Sequence, residues 1–411
     1  GMTRKGISGK VQQEIIEQIA SFALYGFPES HAASFALIAY ASAYLKCHYL
    51  AAFTAATLNN QPMGFYQPAT LIKDAQRHGL KIEPIDITRS DWLCTIEPVE
   101  DCRSKVGDES RRPGKPSVHE SQVLYSFSDQ LQNPLAYTQS LAMRLGMMYV
   151  KGLRKESAEA IVRERARRSF SDIDDLHNRV PELRKDEMRK LAEVGALNFI
   201  KHPTQRSFVP PGVKIFTTEG AEVRRKQSQW SGIRNPQSLH RRSALWQVER
   251  AARPVGPLLK EQKEQNSDSP LPAMTIEERV NADFRGTGMT IGRHPLAYRR
   301  EELKRLGVKR AIDLREIRNG IWVRVAGWVI VRQRPGTAKG FMFLSMEDET
   351  GIANVIVTPD VFDKNRLVLV SQPLLLIDGV LQNQDGVIHV KARRIQALSY
   401  AMAAAASHDF H

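Results

Sequence analysis

The segment Lys151-Gly152-Leu153-Arg154-Lys155 has the residue types and spacing to hold a phosphate. A glycine turn that runs into a helix N-terminus leaves backbone N–H groups pointing outward, and Lys151, Arg154 and Lys155 add charge beside them. Such a turn grips a nucleic-acid backbone without reading bases, so its binding falls steeply with salt. The bland reading is an ordinary helix pair with a surface lysine cluster. A second copy weakens that reading. YVKGLRKESAEAIVRER and LRKDEMRKLAEVGAL look like one unit written twice, with glycine-bearing turns at Lys151-Gly152-Leu153 and Val194-Gly195-Ala196. The two copies place the turn differently relative to their helices.

A second set lies in RQRPGTAKGFMFLSMEDETGIANVIV, residues 332–357. Arg332, Arg334 and Lys339 sit in or beside a tight loop, as phosphate contacts would. Phe341 and Phe343 are two residues apart and so share one strand face. That face is either a platform for stacking unpaired bases or, because alternating phenylalanines are more often buried than exposed, part of a core. A third set is Ser30, His31 and Lys46 in SHAASFALIAYASAYLK. Ser30 is an N-cap candidate, and with His31 it lies where a helix favours an anion. Lys46 is about 22 Å further along the helix at 1.5 Å per residue, so one triphosphate cannot touch all three. The division that fits is Ser30 and His31 near an incoming nucleotide, with Lys46 on template phosphate or structural. Taken alone, the residues favour a simple cap on a buried helix.

Other chemistries leave no trace. There is no GxxxxGK[ST], no HExxH and no GxSxG. No clustered carboxylate pair of the D-x-D type is read as a two-magnesium site. Glu347-Asp348-Glu349 reads as a solvated turn, and His48 beside Cys47 lacks further ligands. No catalytic residue and no metal ligand is therefore assigned. Cys47, Cys94 and Cys102 are the only cysteines and none forms a CxxC pair, which fits a reducing, cytoplasmic setting. No signal peptide is visible, and the longest apolar stretch, Ala32 to Ala43, is too short to span a bilayer. The chain of 411 residues carries a formal net charge of +14 and is 42% hydrophobic. That allows two to four small domains and points to a polyanionic partner, most often nucleic acid.

The elements that must position these residues follow in order. Residues 1–97 read as helical: Val11 to Ala23, then a break at Pro28 and a helix running to about Leu58, then Pro68 to Gly79, with KIEPID as a short extended segment. Gly1 is no initiator, so either a cloning remnant or the tail of a longer protein is expected. Residues 98–140 are rich in Ser, Pro, Gly and charge and read as an inserted flexible loop. Helical periodicity returns over residues 141–200. Residues 201–275 read as an irregular basic linker, with eleven Lys/Arg against three acids between 201 and 257. Residues 276–319 read as a helical connector, broken at Gly286-Thr287-Gly288. Residues 320–400 are all β, beginning with the strand Trp322 to Ile330, and their first hairpins look like those of a five-stranded nucleic-acid-binding barrel. Residues 401–411 are a frayed tail.

With these residues in place, the chain resembles the C-terminal portion of bacterial C-family DNA polymerases, relatives of the polymerase III alpha subunit. The matching segments are GFPESHAASFALIAYASAYLKCHYLAAF, LNNQPMGFYQPATLIKDAQRHG, DITRSDW, VKGLRKESAEAI, LAEVGAL, RRSALWQVE, GMTIGRHPL and the run at 332–357. LNNQPMGFY and RQRPGTAKG favour the error-prone branch. The resemblance implies a multidomain, mainly α chain, the end of the fingers plus a tandem helix-hairpin-helix, followed by an all-β OB-fold barrel. It implies duplex behind the active site on the hairpins and single-stranded template near the barrel. It also implies deoxynucleotides and two Mg2+ in the full-length protein, with the catalytic palm upstream of these residues. Its implied setting is damage-induced mutagenesis and translesion synthesis, with a mutagenesis accessory complex and the sliding clamp as candidate partners and no membrane. This chain is then expected to bind DNA without polymerising. The rivals are a stand-alone DNA-binding accessory protein and an OB-containing RNA-binding appendage of the kind found in class II aminoacyl-tRNA synthetases.

Overall fold

The computed structural model describes residues 5–6, 8–24, 29–63, 66–99, 140–200, 239–253, 269–384, 386–398 and 408–410. The chain opens with helices α1 (Lys10–Leu24) and α2 (Glu29–His48). The helix expected to run on to Leu58 stops at Tyr49, whose backbone leaves the helical region, and restarts as α3 (Leu50–Asn59). Leu50, Ala51, Thr54, Ala55 and Leu58 are buried on one face of α3, the i, i+4, i+8 spacing of a core-facing stripe. Helix α4 (Pro68–Arg77) follows, with Gly79 just beyond it at φ +90°.

Strands β1 (Lys81–Glu83), β2 (Thr95–Pro98) and β3 (Leu141–Arg144) form a small sheet in the order β1-β3-β2. Residues from Leu141 are thus a strand where helical periodicity suggests a helix. Ala142 and Met143 are buried, and four residues are too few for periodicity to separate the two. A 3-10 turn at Met147–Tyr149 leads to α5 (Lys155–Arg167), α6 (Ile173–Arg179) and α7 (Lys185–Val194). Within the stretch read as linker, Arg241–Ala251 is a helix, α8. Its Ala244 and Val248 are buried, and that apolar pair outweighs the basic composition around it. One hydrophobic core runs from Leu50 through Met143, Ile161, Met188 and Leu197 to Val248 and Met289. The domain cut expected near residue 97 therefore passes through a single core.

The connector is α9 (Ile276–Thr287), a 3-10 segment at Pro295–Arg299 and α10 (Arg300–Arg305). A capping box between Thr275 and Glu278 starts α9, and Gly288 ends it in the left-handed region.

The last unit holds β4 (Trp322–Gln333), β5 (Met342–Glu347), β6 (Ile352–Val357), α11 (Pro359–Ser371), β7 (Leu374–Gln384) and β8 (Val387–Ala397). Its strands run β5-β6-β8-β7-β4, and β4 pairs with β5 to close the barrel. Only β6–β8 is parallel within the ring. This is the five-stranded Greek-key barrel of the OB fold, and its closure removes the exposed edges an open sheet would have. Val323, Val325, Met342, Leu344, Met346, Ala353, Val355, Val357, Ile377 and Val390 fill it. In the tail read as frayed, His408–Phe410 forms β9, parallel to Val331–Gln333 of β4.

The barrel is bolted to the first unit. Lys73 Nζ on α4 donates to the Gly292 carbonyl at 2.5 Å and to Gln76 Oε1 at 2.9 Å, and Gln76 Nε2 donates to the Ile291 carbonyl at 2.8 Å. Arg77 reaches Glu347 on β5 at 2.8 Å. Phe284 of α9 stacks on Trp328 of β4 at 5.5 Å. The acidic run is not a solvated turn. Glu347 and Asp348 are buried, Asp348 accepts the Ala311 amide at 2.7 Å, and Glu349 pairs with Arg300. Glu347 thus holds α4, and Asp348 and Glu349 hold the connector.

Candidate nucleic-acid interface

The triplet Leu-Arg-Lys occurs at 153–155 and again at 183–185, and both copies fold alike. Each leucine is buried, each arginine stands at the N-cap, and each lysine opens a helix, α5 or α7. One buried carboxylate binds the two starts together. Glu187 accepts the Arg154 amide at 2.9 Å, the Arg184 amide at 3.0 Å and the Ser157 hydroxyl at 2.9 Å. The Arg154 guanidinium donates to both Glu187 oxygens and to the Glu182 carbonyl. Burial alone would push the Glu187 carboxyl up. These donors outweigh it and hold the group down at about 2.

This geometry sorts the expected phosphate ligands. Arg154 is committed to the buried Glu187 carboxylate and braces the two helix starts, with its side chain 39% exposed. Leu153 is buried. Lys151 donates its amide to the Gly286 carbonyl at 2.8 Å and its ammonium to the Phe284 carbonyl at 3.3 Å, closing the end of α9. Gly152 has φ +78°, a conformation that favours glycine, and Lys190 crowds its open side. Lys155 is 58% exposed, with a 3.6 Å pair to Glu159 that water screens. It opens a helix whose first-turn amides have no intrahelical acceptors. Gly195 caps the end of α7 at φ +87°, its amide bonded back to the Ala192 carbonyl. The match to the first hairpin is the turn at Val180 to Arg184, which holds no glycine, rather than the one at Gly195. The repeated triplet was the signal for it.

On the barrel, Arg332 is 6% exposed and donates to the carbonyls of Leu369 and Gln372 at 2.7 and 2.6 Å. It ties β4 to the end of α11, which corrects its reading as a ligand. Arg334 is exposed and lies over the Phe362 ring at 4.0 Å, with Lys339 exposed at φ +49° in the same loop. Met342, Leu344 and Met346 point inward, so Phe343 faces outward at 37% exposure, while Phe341 precedes the strand and is half-buried.

Ser30 lies inside the first turn of α2 rather than before it, and the side chains of Ser30 and His31 fall outside the described residues. Lys46 makes a 2.6 Å ion pair with Asp74, joining α2 to α4. Asp172-Ile173-Asp174 does have the D-x-D spacing. Asp172 is the N-cap of α6, accepting the Asp175 amide at 2.7 Å. Among the described residues no group of three His, Cys, Asp or Glu side chains is placed to hold a metal ion, and no helix is long and apolar enough to cross a membrane. At the joint, a narrow cleft is lined by Thr70, Lys73, Phe284, His294, Trp328 and Glu347. Burial there lowers Lys73 to about 8 against the pull of Glu347. Burial, with the nearby Lys73, Arg77 and Arg300 charges, drops His294 to about 3.

Comparison with known proteins adds three findings. Residues 79–207 match the family described as "Helix-hairpin-helix motif", and residues 323–398 match "OB-fold nucleic acid binding domain". Among curated proteins, the error-prone DNA polymerase of Pseudomonas fluorescens is 36% identical over 400 residues, covering 97% of this chain and 32% of that one. That of Aromatoleum aromaticum is 35% identical over 412 residues, 100% of this chain and 32% of that one. Error-prone DNA polymerase 2 of Rhizobium meliloti is 34% identical over 420 residues, again with full coverage here and 32% there. The chain thus spans about a third of the length of the curated relatives it matches. Among solved structures, asparaginyl-tRNA synthetase from Pyrococcus horikoshii is 23% identical over 20% of this chain and 21% of that one, with a TM-score of 0.18.

Proposed function

The chain resembles the C-terminal portion of the error-prone DNA polymerases along nearly its whole length, and from that premise we propose that it is the DNA-gripping part of such an enzyme. What carries the reading is continuous identity of 34–36% through both nucleic-acid-binding units, in one order. The hairpin at Lys151 to Lys155 holds duplex by its backbone, with Lys155 and the first-turn amides of α5 on phosphate. The barrel holds single-stranded template, with Arg334 and Lys339 on phosphate and Phe341 and Phe343 against bases. Ser30 and His31 approach an incoming deoxynucleotide. The whole protein performs template-directed nucleotidyl transfer with Mg2+ in damage-induced mutagenesis and translesion synthesis. It acts in the cytoplasm, beside a mutagenesis accessory complex and the sliding clamp. The excess of basic residues supports a polyanionic partner.

A competition assay tests the partner. Labelled primer–template DNA bound to this chain is challenged with unlabelled primer–template or with tRNA. The reading expects DNA to displace at lower concentration, and affinity to fall linearly in log salt. A clear preference for tRNA contradicts it.

A further inference from the structure

The outer surface of the barrel is divided in two. The connector covers one half: Leu296, Leu303 and Val308 pack on Ala326, Leu374 and Leu376. The other half carries no such cover among the described residues, and strand register fixes which side chains share it. Trp322 on β4 pairs with Val380 on β7, and Val380 with Lys391 on β8. Lys391 pairs with Ile356 on β6, and Ile356 with Phe343 on β5. Cross-strand partners point to the same side of a sheet. The flanking residues Val323, Leu381, Val390, Ala392, Val355, Met342 and Leu344 all point into the barrel. The five therefore form one outward belt with an aromatic ring at each end and an ammonium near its middle. Trp322 is 58% exposed, and among the described residues no hydrogen bond or ion pair engages its side chain or that of Lys391.

We propose that this belt is a single-stranded DNA track, running from Phe343 across Lys391 to a second stacking site on Trp322. It rests on the reading of the chain as a DNA-gripping unit and says which face of the barrel does the work. Three observations favour single-stranded DNA over a protein partner. The rings stand apart at the two ends, as stacking on separate bases requires, rather than fused into one apolar patch. Four strand spacings of about 4.8 Å put them roughly 19 Å apart around the barrel, room for a few nucleotides. The charge is also one-sided. No acidic residue lies on the belt, and Arg393 and Arg394 beside Lys391 are exposed with no partner among the described residues.

The test measures binding of the full 411-residue chain to an unstructured oligothymidine over a salt series. Trp322→Ala is expected to weaken it by roughly 5- to 160-fold, the range for one lost base stack, and Trp322→Phe to restore most of the loss. Lys391→Gln is expected to reduce the salt slope by about 0.7, one single-strand phosphate. Leu367→Ala, on a helix face 80% exposed, is the control. If Trp322→Ala and Lys391→Gln bind as the parent does while Arg334→Ala and Lys339→Ala weaken binding, the track runs elsewhere and the inference falls. If the parent binds no DNA of any kind, it is the DNA-gripping reading that fails.

Discussion

Glu187 is the residue on which the hairpin unit turns. It satisfies the N-cap amides of two helices, and no other described carboxylate accepts both. Glu187→Ala leaves two part-buried amides, the buried Ser157 hydroxyl and the Arg154 charge without their acceptor. The expected loss is roughly 3 kcal/mol of stability, seen as a lower midpoint in chemical denaturation. A midpoint within error of the parent contradicts the brace. The same geometry separates two residues that the sequence treats alike. Lys155→Ala is expected to weaken duplex binding evenly across sequences and to cut the salt slope by about 0.9, with unchanged stability. Arg154→Ala is expected to lower stability instead, because its guanidinium is already engaged. Equal effects of both on the salt slope would contradict this division. The Leu-Arg-Lys repeat was legible in the sequence, and so was the glycine turn at Gly152. The Arg154–Glu187 bond was not, because it joins residues 33 positions apart and depends on how α7 packs beside α5.

At the scale of elements, strand parity explains what was read and what was missed. Alternation in residues 342–357 revealed β5 and β6, and in the structure Ala353, Val355 and Val357 point inward. Parity alone leaves open which of two alternating sets is inside. Phe343 and Leu344 are both apolar, and the barrel takes Met342, Leu344 and Met346. The joint between α4 and the barrel was invisible for another reason. Lys73, Gly292 and Glu347 are distant in sequence and look like ordinary surface residues. Burial lowers Lys73 from 10.5 to about 8. Between those pH values the unfolded chain keeps a proton that the folded chain has lost, so this group makes stability rise with pH. The full effect is on the order of 3 kcal/mol. Parent and Lys73→Met proteins unfolded in denaturant at pH 7.5, 9 and 10 should show it. The parent is expected to gain on the variant as pH rises, and parallel curves would contradict a buried, strained lysine at the joint.

For the whole molecule, order and composition carried most of the reading. The basic balance, the hairpin repeat and the barrel were all visible in one chain, and their succession pointed to the polymerase relatives found by comparison. What composition could not show is that residues on either side of 98–140 share one core. Strands β2 and β3 flank that stretch and pair with each other. Helices α3 and α4, the hairpin unit and the barrel are thus joined by the core and the α4 joint. A strand held by the barrel and a duplex held by the hairpins would be held in a fixed relation. On the proposed function, this assembly grips primed DNA without itself supplying the chemistry. The most direct measurement is primer extension by this chain, with Mg2+ and all four deoxynucleotides, run beside a salt titration of its binding to the same primed DNA. The account predicts salt-sensitive binding with extension no higher than in a protein-free control. Extension above that control, or no binding at low salt, would contradict it.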